Sequence, residues 1–113
     1  MREVARSTAW RLSVDSDRTK IVIAFDGRLS AAEARTSAEA FVSVLSTGPH
    51  DVVWDLRSMN SYDMLAPLAW QRSLRPWLAN IRSLGVIGGN PFVRLGATAL
   101  ASALGIPLAD VDA

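Results

Sequence analysis

The chain alternates two kinds of segment, and that alternation limits its fold more than any single residue does. Short β-branched and apolar runs, "WRLSV" (10–14), "KIVIAF" (20–25), "DVVWDL" (51–56) and "LGVIGG" (84–89), are separated by longer stretches with apolar residues every three or four positions. Breakers such as Asp26-Gly27, Gly48-Pro49 and Asn90-Pro91 stand between them. Strands alternating with helices require a sheet with helices packed against it.

"WRLSV" has the two-residue period of a half-buried strand, and "DSDRT" (15–19) is turn chemistry. "KIVIAF" is apolar enough to be covered on both faces, and the two runs are expected to pair as a hairpin, Trp10–Val14 with Lys20–Phe25. Ser30 and Glu33 then fit a capping box, ahead of a helix with a stripe of Ala31, Ala34, Ala38, Phe41, Val42 and Leu45. "DVVWDL" reads as a central strand, followed by a polar loop and a helix from about Asp63. That helix should bury Trp70, Leu74, Trp77, Leu78 and Ile81 and break or kink at Pro76. After "LGVIGG", Asn90 as cap, Pro91 at the first position and Gly105 as stop delimit a last helix. "LADVD" (108–112) is a short edge strand. The expected order is β-β-α-β-α-β-α-β, an α/β fold with a mixed four- to five-stranded sheet and right-handed crossovers. Residues 1–9 are expected to be a flexible N-terminal tail, and 10–113 a single domain.

Composition narrows the function. Twelve basic residues against eleven acidic ones give a formal charge of +1, which is no electrostatic footprint for nucleic acid. No apolar run approaches the roughly 18 residues of a membrane span. The N-terminus lacks the apolar region of a signal peptide, so a cytoplasmic location is expected. The absence of cysteine excludes disulfides, thiolate metal sites and cysteine nucleophiles. His50 is the one histidine, expected to be exposed in a Gly-Pro-His-Asp turn, and no other residues suggest a metal site with it. Gly88-Gly89 before a helix could cradle phosphate, but Pro91 removes a donor and no nucleotide-binding fingerprint is present. Arg72, Arg75, Arg82 and Arg94 read as the solvated face of amphipathic helices and not as an anion site. No cofactor is expected, and no acid–base pair assembles from the sequence.

Three stretches together resemble the STAS domain, the module of bacterial anti-sigma-factor antagonists and sulfate-transporter tails. These are "IVIAFDGRLSAAEA", "VVWDLRSMNSYD" with Asp55 and Asp63 eight residues apart, and "LGVIGGNPFVRLGATALASALGI". In antagonist members the helix start carries Asp-Ser-Ser-Gly, and the second Ser is phosphorylated by a partner kinase. Asp63-Met64-Leu65-Ala66 occupies those places here: Asp63 carries over, whereas Met64, Leu65 and Ala66 do not. Neither Met64 nor Leu65 offers an oxygen to a phosphoryl group. The chain therefore resembles a divergent branch that includes SpoIIAA-like proteins.

The resemblance implies a non-enzymatic protein–protein interaction domain in bacterial signalling. Its partner, a kinase-like anti-sigma factor or another regulator, would dock on Ser61, Tyr62, Asp63, Met64 and Leu65. Asp63 reads first as a helix cap, and Asp55 as a loop-bonding residue. Ser58 and Ser61 are the hydroxyls nearest the usual phosphorylation position. A small-molecule or lipid pocket lined by Met64, Trp70 and Trp77 is the alternative, and a homodimer face at Leu65 is a further one.

Overall fold

The computed structural model describes residues 1–111. Six strands form one sheet in the order of the chain, β1 (Arg2–Arg6), β2 (Trp10–Val14), β3 (Lys20–Leu29), β4 (His50–Tyr62), β5 (Ile81–Ile87) and β6 (Leu108–Asp110). The first three pair antiparallel, and β3 to β6 are parallel. Each parallel step carries a helix: α1 (Ala31–Leu45), α2 (Ala66–Leu74) and α3 (Pro91–Leu104). Successive crossovers all step the same way across the sheet, so right-handed connections put every helix on one face. α1 lies beside α2 and α2 beside α3.

The core lies between that face and the helices. Leu12 and Val14, Ile21 and Ile23, Val52 and Trp54, and Leu84 and Val86 point inward to meet Phe41, Leu45, Trp70, Leu74, Val93 and Leu100. The other face carries Arg11, Ala24, Asp55 and their neighbours. β3 is therefore covered on one face, not two: Lys20, Val22 and Ala24 remain half-exposed.

Trp70 links the layers. Its ring packs edge-on to Phe25 at 5.8 Å and Trp54 at 6.1 Å, and tilted on Phe41 at 5.0 Å. Its indole N–H donates to Ser37 Oγ at 3.1 Å, and Ser37 in turn donates to the Ala34 carbonyl. Glu33 forms half of the expected capping box. Its N–H reaches Ser30 Oγ at 3.1 Å, but its carboxylate accepts from the Ser7 hydroxyl and the Trp10 indole N–H at 2.7 and 2.8 Å, which ties α1 to the β1–β2 turn.

Several expectations need correction. The N-terminal segment expected as a loose tail includes β1, because residues 2–6 find β2 as a partner; this makes the sheet six-stranded. Asp26-Gly27 does not end β3 and the 57–62 segment is not a loop. Two register shifts, with Gly27 at φ +71°, let both strands continue side by side to Leu29 and Tyr62. α2 begins at Ala66 rather than near Asp63. It yields to a 3₁₀ turn at Arg75–Asn80, where Pro76 interrupts it as expected. Ile81 consequently opens β5. His50 is 1% exposed, not in the open: it starts β4, and its Nδ1 donates to the Gly48 carbonyl at 2.7 Å. α3 matches its expected limits, with Asn90 Oδ1 accepting from the Val93 N–H and Gly105 at φ +72°. β6 ends at Asp110, and residue 112 of the expected edge strand lies outside the described residues.

Three carboxyls are held below the ordinary range, Glu3 among them through its hydrogen bonds from Arg6. The Arg57 fork does so for Asp55, and the Thr19 and Lys20 N–H groups, Thr19 first, do so for Asp15. Over the interval between the folded and unfolded pKa values the unfolded chain binds more protons. This part of the stability is therefore complete above about pH 4 and fades as pH falls through the folded values. Asp55→Asn should lower the melting temperature at neutral pH and flatten the acid limb, in thermal melts between about pH 2 and pH 7.

Candidate functional site

The β4–α2 junction is built around Asp63, just beyond the end of β4. Its N–H donates to the Leu29 carbonyl at 2.8 Å, which binds it to the end of β3. Its Oδ1 accepts the Leu65 N–H at 2.8 Å, and its carbonyl accepts the Ala66 N–H at 2.9 Å. Oδ2 lies 3.6 Å from Arg28. Asp63 thus closes the turn leading into α2, and it caps that turn instead of the first helical residue. Leu65 takes the position before Ala66 with helical backbone angles.

With the backbone so held, the two residues inside the turn point away from the core. Met64 is 87% exposed and Leu65 59%. Leu68, three residues after Leu65 and so on the same helix face, is also exposed. Tyr62 turns the other way, towards α3. Its ring stacks on Phe92 at 4.6 Å with an interplanar angle of 13°. Gly96 makes room for it, since a Cβ there would lie 2.5 Å from Tyr62 Cζ. Phe92 is 51% exposed and Leu95, one turn along α3, is 67% exposed. The Tyr62–Phe92 stack therefore joins the turn that carries exposed Met64 and Leu65 to the start of α3, where Leu95 is also exposed.

Ser61, Tyr62, Asp63, Met64 and Leu65 accordingly share one corner. Ser61 is half-buried opposite Arg28 in the strand register, and Ser58 is exposed within β4. Asp55 lies elsewhere: it sits within β4 between Ala24 and Ile87, and Arg57 grips it through Nε at 3.0 Å and Nη2 at 2.8 Å. Asp55 and Asp63 share no partner. Phe92 and Leu95 were missed from the sequence. Their spacing of three, off the Val93–Leu100–Leu104 stripe, is the signal that could have identified them.

Met64, Trp70 and Trp77 do not come together. Trp70 lines an apolar cavity of about 60 Å³ between α2, α3 and the sheet, with Leu29, Met59, Tyr62 and Leu100 among its walls. Met64 points to solvent, and Trp77 sits half-buried in the 3₁₀ turn, outside the cavity wall. The space is far below the roughly 300 Å³ at which small-molecule sites begin. Among the described residues no group of three or more His, Asp or Glu is placed to hold a metal ion, and no helix is long and apolar enough to cross a membrane.

No protein-family model and no curated protein matches the chain. Solved structures do. The anti-sigma factor antagonist SpoIIAA in its unphosphorylated form aligns with a TM-score of 0.68 at 15% identity, over 93% of this chain and 89% of that one. An uncharacterized DUF3478-family protein from Shewanella loihica PV-4, with a SpoIIAA-like fold, gives 0.67 at 10% identity, over 93% and 85%. The chain has a SpoIIAA-like, STAS-type α/β fold.

Gly96→Ala should drive Tyr62 off α3. Loss of the Tyr62–Phe92 ring contacts in NMR spectra and a stability cost of about 1–3 kcal/mol, the usual penalty for overpacking, are the expected outcome.

Proposed function

We propose that this SpoIIAA-like domain is a non-enzymatic protein–protein interaction module of bacterial signalling. Its partner docks on Ser61, Tyr62, Asp63, Met64 and Leu65, extended by Leu68, Phe92 and Leu95. One observation carries the reading: Leu65 is exposed at the helix entrance, with Met64 beside it and Phe92 and Leu95 joined to that turn through the Tyr62 stack. Isolated surface leucines mean little, but five large apolar side chains gathered on two neighbouring helix starts form the kind of patch that a partner covers. The corner is also stiff, because Asp63 fixes the turn and Trp70 fixes the helix behind it. A partner therefore meets a preformed surface and spends little free energy on ordering it.

Regulation by phosphorylation at the usual serine forms no part of this reading, since Leu65 stands in that place in the resemblance. Ser58 and Ser61 are the remaining candidate acceptors. The alternative, a small-molecule or lipid module, draws on the apolar cavity beside Trp70, but its size favours the docking reading.

Titration of the chain against the kinase-like anti-sigma factors and related regulators of its own organism tests the proposal. Leu65→Glu should weaken binding at least tenfold, as loss of a central apolar anchor does. The melting temperature should stay essentially unchanged, because the side chain is exposed. If a partner binds both forms equally, the docking face is elsewhere. Incubation of the same pairs with ATP tests Ser58 and Ser61 as acceptors.

A further inference from the structure

The helix-free face of the sheet carries a second feature, unrelated to the apolar corner. A polar cleft of about 380 Å³ opens over the middle of β3 and β4, at their first register shift and against the β1–β2 turn. The strand register sets out its floor as a row of direct cross-strand neighbours, Arg6, Arg11, Ala24 and Asp55. Such neighbours project from the same face. Ala24 is the short member of the row, so a trough lies between the long side chains on either side.

The charges in this row are unequally satisfied. Glu3 holds Arg6 through two bonds of 2.8 and 3.0 Å, and Asp55 holds Arg57 in the same forked way. Each fork engages Nε and Nη2, and among the described residues Nη1 of either arginine has no bonded partner. Arg57 is fixed further by Gly88, where a Cβ would meet its Cγ at 2.6 Å. Arg11 differs: among the described residues no carboxylate lies within 4 Å of it, and its direct cross-strand partner is another arginine. Glu3 and Asp55 are close enough to feel the charge of Arg11, but each is bonded to a different arginine, so the Arg11 guanidinium keeps its donors for an outside oxyanion. The hydroxyls of Thr8 and Ser58 add neutral donors, while the exposed carboxylate of Asp26 at the rim disfavours a second negative group.

We infer that this trough binds a compact molecule with one oxyanion, a phosphate or a carboxylate, seated on Arg11 with support from Arg57 and Ser58. A hydroxyl or amine of the same molecule would face Asp26. The cleft volume falls within the range of small-molecule sites. Guanidinium is suited to either oxyanion because its planar N–H groups match two oxygens at once.

The inference is tested by ¹⁵N NMR titration of the full chain with inorganic phosphate and, separately, with acetate, at constant ionic strength so that screening does not change. Saturable shifts of the Arg11, Ala24 and Arg57 backbone amides and of the Arg11 Nε–H are expected, and the probe that saturates at lower concentration identifies the preferred oxyanion. Arg11→Gln should weaken the binding about tenfold or more, the usual consequence of losing a charge-assisted hydrogen bond. Ala24→Leu should block it with every charge in place, Asp26→Asn should tighten it, and Arg35→Gln on the exposed face of α1 should leave it unchanged. Shifts that rise linearly without saturating, or that persist equally in Arg11→Gln and Ala24→Leu, would overturn the site.

Discussion

The placement of one indole ring governs the apolar corner at the β4–α2 junction. α2 has nine residues, no side-chain bond from the residue before its first turn, and a proline-bearing 3₁₀ turn at its end. A helix that short is unstable in water by itself. It holds its position because Trp70 is buried against Phe25, Phe41 and Trp54 and its N–H finds Ser37. Each aromatic contact of this kind contributes about 0.5–1.5 kcal/mol beyond area burial. The contacts reach β3, β4 and α1 at once, so α2 has little freedom to slide or rotate. The turn before it, with Met64 and Leu65, is directed outward as a consequence.

A second constraint comes from topology. Strands added one after another in the same direction, through right-handed crossovers, gather the helices on one side. The molecule therefore has two unlike surfaces. On the helix side, apolar residues that the core cannot accommodate emerge where α2 and α3 begin. On the bare side, alternation along each strand brings polar and small residues outward together with Val22 and Val53, and register sets them in rows across the sheet. Both edges are poor templates for further strands: β1 carries Arg2, Glu3 and Arg6 with a register shift, and β6 has three residues.

The sequence by itself determined the order of elements from Trp10 onward, the hairpin, the limits of α3 and the interruption at Pro76. These depend on neighbours within a few positions: Asn90 reaches the Val93 N–H, Gly105 takes a positive φ, and Pro76 cannot donate to a helix. It also placed Ser61 through Leu65 in one stretch, which sequence adjacency alone brings together. Tertiary structure decided what depends on distant partners. β1 exists because β2 offers an edge, and β3 and β4 run past their breakers because they support each other through two register shifts. His50 is buried because β4 starts at that residue. The Phe92–Leu95 half of the apolar corner and the Arg6–Arg11–Ala24–Asp55 row are likewise invisible in a linear reading. Local propensity acts over one turn of helix, whereas burial, register and cross-strand charge are set by residues that meet only when the sheet closes.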